Sequence, residues 1–188
     1  MTITPALVGR LVALGAIGVI FQTAAISQVT IFGAPVDLFP LVVAAVGLLS
    51  GSIGGACFGF GAGLFIDVAM LQAVGVTSLI YVLVGYGAGR LRELRDPAHG
   101  LTPMAVGAAA TLVATAGFAI LTFMIGVDAP VSLLLVRQIL VTVVVNTLLA
   151  IPVYAAVRRI LSPFLPDDPR RRRRRAYTTG GLSPLSRS

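Results

Sequence analysis

Long apolar stretches separated by short polar ones dominate this chain. Hydrophobic residues fill approximately 8–26, 38–50, 52–71, 76–91, 101–126 and 131–158. The breaks between them carry the turn and charge signals: Gly33, Pro35 and Asp37; Gln72 to Gly75; the run RLRELRDPAHG from Arg90 to Gly100; and Gly126 to Pro130 with Asp128. A helix needs about 20 apolar residues to cross a bilayer, so the pattern predicts an all-α integral membrane protein built as a six-transmembrane-helix bundle. Leu38 to Leu49 is short, about 12 residues before Ser50 and Gly51. We read it as a short or tilted span joined to the next at Ser50 to Ser52, with a re-entrant helix as the alternative, since broken helices are tolerated where protein surrounds them.

Within the third and fourth stretches the glycines are periodic. Gly51, Gly55, Gly59, Gly63 and Asp67 stand four apart, and so do Tyr81, Gly85 and Gly89 in the following stretch. In water each interior glycine costs about 1 kcal/mol relative to alanine, whereas in a bilayer small residues let two helix backbones meet. The spacing therefore predicts a packing seam on each helix and a tight hairpin between them. Steps of four drift by about 40° each around a 3.6-residue helix, which suits a neighbour crossing at an angle.

Composition strengthens the membrane reading. Of 188 residues 57% are hydrophobic and 11% are charged, against about 25% charged in soluble domains, and the mean hydropathy is +0.98. All 14 basic residues are arginine, which hints at a GC-rich bacterial coding sequence. Arginine accumulates on the cytoplasmic side. With six spans, Arg10, the cluster Arg90, Arg92 and Arg95, the pair Arg158 and Arg159 and the run Arg170, Arg171, Arg172, Arg173, Arg174 and Arg175 fall on one side, and Asp37, Asp67 and Asp128 at or near the other. Both termini are then cytoplasmic in a bacterial plasma membrane, with a transmembrane domain over 1–162 and a disordered basic tail over 163–188, rich in Pro, Gly and Ser at its ends. The first apolar run lacks a trustworthy cleavage pattern and reads as a retained span. The arginines serve as topological anchors, as contacts for anionic lipid worth about 1 kcal/mol per charge near the surface, or as a dock for an acidic partner. No aromatic or folded reader accompanies them, so nucleic-acid binding is not expected.

Candidate chemistry is sparse. His99 is the single histidine and sits in the charged loop, and Cys57 is the single cysteine, placed among the seam glycines as a small packing residue. No nucleophile elbow, histidine pair or phosphate loop appears, so neither an enzyme nor a bound metal or cofactor is expected. Ionisable groups at membrane depth say more, because they are costly and turn toward other helices or water. Asp67 and Arg137 are both predicted toward the outer leaflet, where they pair with each other or each snorkel to the interface. Gln138, Thr142 and Asn146 share one face of the last helix. Such a stripe must be buried in lipid, against another helix such as the polar outer end of the first span, or around a small-molecule cavity.

The segment Pro35 to Arg92 resembles the MreD family of rod shape-determining membrane proteins. The matching residues are Asp37 and Leu38 at the start of the short span, the core Gly55, Gly59, Phe60, Gly63, Leu64 and Asp67, and then Gly75, Leu79, Tyr81, Val84, Gly85, Tyr86, Gly89 and Arg90. The resemblance implies a non-enzymatic subunit of the cell-elongation machinery that associates with the bitopic protein MreC, and through it with the peptidoglycan polymerase RodA, its class B transpeptidase and the actin-like MreB. It also implies a six-span fold similar to the substrate-binding subunits of energy-coupling vitamin transporters, which supplies the alternative function. A homodimer is left open by the sequence.

Overall fold

The structure, a computed structural model, describes residues 5–22, 30–31, 34–35, 37–94, 101–126 and 133–161. The apolar stretches fold as six helices: α1 Pro5–Phe21, α2 Phe39–Ser50, α3 Ser52–Ala69, α4 Val76–Leu94, α5 Thr102–Met124 and α6 Leu133–Leu161. Between α1 and α2 a two-stranded antiparallel ribbon pairs Thr30 with Pro35 and Ile31 with Ala34.

At 12 residues α2 is the shortest helix, yet it is the axis of the fold. Its rise of about 18 Å falls short of a hydrocarbon core of about 30 Å. It is buried along almost its whole length because α3, α4, α5 and α6 pack around it. The start is fixed by Pro40 in the first turn and by the Asp37 carboxylate, which accepts the Phe39 N–H at 3.0 Å. The end is fixed by Gly51, whose φ of +90° breaks the helix before α3 begins, a conformation that side chains with a Cβ seldom adopt.

Three helices contain stretches long and apolar enough to cross a membrane: Ser52–Ala69, Thr102–Met124 and Leu135–Leu161. The described apolar part of α1, Leu11–Ile20, and all of α2 are shorter, and α4 ends in Arg90, Arg92 and Glu93. The prediction of six helices thus agrees with the fold, while length and composition by themselves support three crossings. On α6 the sidedness is inverted relative to a soluble helix. Val136, Leu140, Val144, Leu148 and Ile151 face outward, and Thr142, Asn146 and Ala150 face inward. A surface in contact with lipid gains nothing by hiding leucine, whereas a polar side chain there needs an internal partner.

Candidate functional site

The glycine ladder of α3 lies directly on the backbone of α4. A Cβ placed on Gly55 would fall within 3.0 Å of the Gly85 carbonyl and of Gly47 Cα. On Gly59 it would meet the Tyr81 carbonyl, and on Gly63 it would lie 2.5 Å from Ser78 Cα and N. From the other side, Gly85 faces the Gly55 carbonyl, and Gly89 faces Gly51 and Ser52. Gly61 and Gly87, on the same two helices, have nothing within 4 Å. Close approach is therefore a property of the four-residue register and not of glycine content.

Gly51 differs from its predicted place. It is the hinge between α2 and α3 and not a rung on a continuous helical face, although its backbone still meets Gly89. The ladder also extends one step back beyond Gly51, into α2. Gly47 of α2, four residues before Gly51, would place a Cβ 2.5 Å from the Gly85 carbonyl, so three helices meet at Gly47, Gly55 and Gly85. The signal was visible as one more glycine in the same spacing. Cys57 is exposed and points away from the seam.

Asp67 closes the seam at the α3–α4 turn. It is fully buried, and its carboxylate accepts the Gly75 N–H at 2.7 Å and the Thr77 N–H at 3.3 Å, satisfying donors at the start of α4 that have no intrahelical partner. Its own carbonyl accepts the Gln72 N–H at 2.9 Å, and the Leu71 N–H bonds the Val68 carbonyl. This is a Schellman arrangement with Leu71 at φ +53° in the position glycine usually holds. The predicted pairing of Asp67 with Arg137 is not formed. Arg137 is exposed on α6, and backbone N–H groups occupy the carboxylate in its place.

The opposite end is held by charge. Glu93 Oε1 accepts the Ser52 hydroxyl at 2.6 Å and the Ser52 N–H at 3.1 Å, and its other oxygen pairs with Arg90 at 3.1 Å. Arg92 donates to the Leu49 carbonyl. A carboxylate thus sits at the N-terminus of α3 and a guanidinium at the C-terminus of α2, the signs that the two helix dipoles favour. The Ser52 hydroxyl, then the Ser52 N–H, then Arg90 hold the Glu93 carboxyl below its ordinary 4.5. Arg90 and Arg92, expected to meet lipid or set topology, are engaged in this clasp. Arg158 and Arg159 lie in the last turn of α6. Arg95, His99 and the run Arg170 to Arg175 lie outside the described residues.

The polar stripe of α6 divides. Asn146 is fully buried and donates to the Asp37 carbonyl at 2.6 Å and to Thr111 Oγ1 at 3.2 Å, so it joins α6 to α5 and to the start of α2 instead of to α1. Thr142 and Gln138 turn toward a cavity of about 440 Å³, at the end of the bundle that carries the α3–α4 turn. Asp37, Gln22, Thr77 and Tyr81 reach the same cavity. The Tyr81 hydroxyl bonds to the Asp37 carboxylate, and the Tyr81 ring stacks on Phe39 with centroids 5.8 Å apart. Glu93 did not stand out in the sequence, because its partner Ser52 lies in another element, and Asp37, beyond its loop and sidedness, entered only as part of the family resemblance. Among the described residues no group of three or more His, Cys, Asp or Glu is placed to hold a metal ion.

No curated protein and no solved structure matches this chain. The family profile described as rod shape-determining protein MreD matches residues 6–160, a range that contains the ladder, the clasp, the cavity and nearly all of α6. The chain belongs to the MreD family of rod shape-determining membrane proteins.

Proposed function

We propose that this protein is a non-enzymatic membrane scaffold of the bacterial cell-elongation machinery, binding an MreC-like bitopic partner and through it RodA, its class B transpeptidase and MreB. Family membership over residues 6–160 supports the role in cell shape. The observation that carries the scaffold reading is the α3–α4 hairpin. Its glycines bring backbone against backbone, while Ile53, Phe60, Leu79 and Leu83 of the same two helices face outward. A rigid hairpin with an apolar outer face suits a partner's transmembrane helix, because helices in lipid associate through packing. We further propose that all six helices form the membrane domain over 1–162, with both termini cytoplasmic and the basic tail over 163–188 meeting anionic lipid. The comparisons give no support to the vitamin-transporter alternative.

Affinity purification in mild detergent, with the MreC-like protein of the same cell as prey, tests the reading. Gly59→Leu and Gly63→Leu should abolish co-purification, and Ser183→Ala should leave it intact. Full binding by both glycine variants contradicts the proposal. Size determination of the same material distinguishes a monomeric scaffold from a homodimer.

A further inference from the structure

The cavity at the α3–α4 turn end has the size and chemistry of a ligand site that the scaffold role does not use. Its volume of about 440 Å³ lies within the range of small-molecule sites, roughly 300–1,000 Å³. The apolar part is made by Ile80, Phe118 and Ile139, and the polar part by Asp37, Thr77, Gln138 and Thr142. Among the described residues no arginine lines it.

Thr77 supplies an independent observation. It lines the cavity, it is 6% exposed, and its Oγ1 has no hydrogen-bond partner among the described residues. Thr111, Thr115, Thr122 and Thr147 each return their hydroxyl to a carbonyl one turn earlier. Thr77 stands in the first turn of α4, where no preceding helical turn offers that carbonyl. A buried hydroxyl left unpaired is costly, and cavities lined by polar groups do not stay dry.

We propose that this cavity binds a small amphiphile with an apolar body and a hydrogen-bond-donating amine or hydroxyl head bearing no negative charge. The Asp37 carboxylate and the Gln138 side-chain carbonyl accept from the head, while the Thr77 and Thr142 hydroxyls donate or accept as the head requires. Among the described residues an anionic head meets a carboxylate and no countercharge. The body rests on Phe118, Ile80 and Ile139. Two sources offer such chemistry, a solute and an amphiphile retained from the membrane.

The test uses the full chain in detergent with two probes of matched shape, 2-phenylethylamine and 3-phenylpropionate, followed by saturation-transfer NMR and titration. The amine should bind at least about tenfold more tightly than the carboxylate. Asp37→Asn, which keeps an oxygen to accept the Phe39 N–H, should weaken the amine about tenfold, the worth of one charge-assisted hydrogen bond. Ala119→Phe should fill the space and abolish binding, and Thr142→Val, nearly isosteric, should weaken it without disturbing the fold. Native mass spectrometry of protein extracted directly from membranes distinguishes the sources. A retained mass that disappears in Ala119→Phe identifies a membrane amphiphile, and probe binding without a retained mass identifies a solute. Absence of binding in both arms, equal or tighter binding of the carboxylate, or binding indifferent to both Ala119→Phe and Thr142→Val overturns the proposal.

Discussion

Gly63→Ala and Gly61→Ala form a matched pair that isolates the seam. Both add one methyl group to α3, two residues apart, and both gain up to about 1 kcal/mol of helix propensity. At Gly61 the new methyl enters open space. At Gly63 it would lie 2.5 Å from Ser78 Cα and N, and relaxing that contact to an ordinary 3.4 Å requires α3 and α4 to part by about 0.9 Å. Neither obstacle is a side chain that can rotate away. A gap of 0.5–1 Å already forfeits roughly a quarter to a half of each neighbouring dispersion contact, and overpacking an interior costs about 1–3 kcal/mol. The backbone-to-backbone geometry places Gly63→Ala near 3 kcal/mol. For a chain of this size each kcal/mol moves the midpoint by about 2–4 °C, so Gly63→Ala should melt roughly 6–12 °C below wild type, and Gly61→Ala at or slightly above it. The chain has no tryptophan, so the readout is helical circular dichroism or retention of the monodisperse peak after heating. A Gly63→Ala midpoint equal to or above that of Gly61→Ala would refute the seam.

Two further outcomes are expected. Asp67→Ala strips the acceptor from the Gly75 and Thr77 N–H groups and should cost about 2–4 kcal/mol, with Asp67→Asn losing clearly less; equal losses in the thermal midpoint would argue against the capping role. Because the Glu93 carboxyl is held below its ordinary 4.5 in the fold, its contribution is present above 4.5 and lost as pH falls through the folded value. Glu93→Gln should flatten that acid-side loss of midpoint, and an unchanged profile would dismiss the clasp.

The helices and the seam were legible because both are periodic. Residues four apart share a helix face whatever surrounds them, so Gly55, Gly59 and Gly63 announce a close approach before any neighbour is known. Apolar runs longer than a soluble helix can bury likewise announce lipid. Gly51 misled because its spacing continues the ladder, while its φ of +90° is a backbone property that spacing does not encode. Partner choice was not legible. Asp67 and Arg137 look like an ion pair when only charges are counted, but the Gly75 and Thr77 N–H groups at the start of α4 occupy the carboxylate. Asn146 reaches the Asp37 carbonyl across 109 positions of chain, and Glu93 reaches Ser52 across 41, distances at which local pattern carries no information. The sequence by itself determined which surfaces are bare and which residues resent lipid. Only the packing around α2 decided what each polar group bonds and left a cavity with both apolar and polar walls beside the hairpin, because hydrogen bonds depend on ångström-scale proximity between elements that the order of residues does not specify.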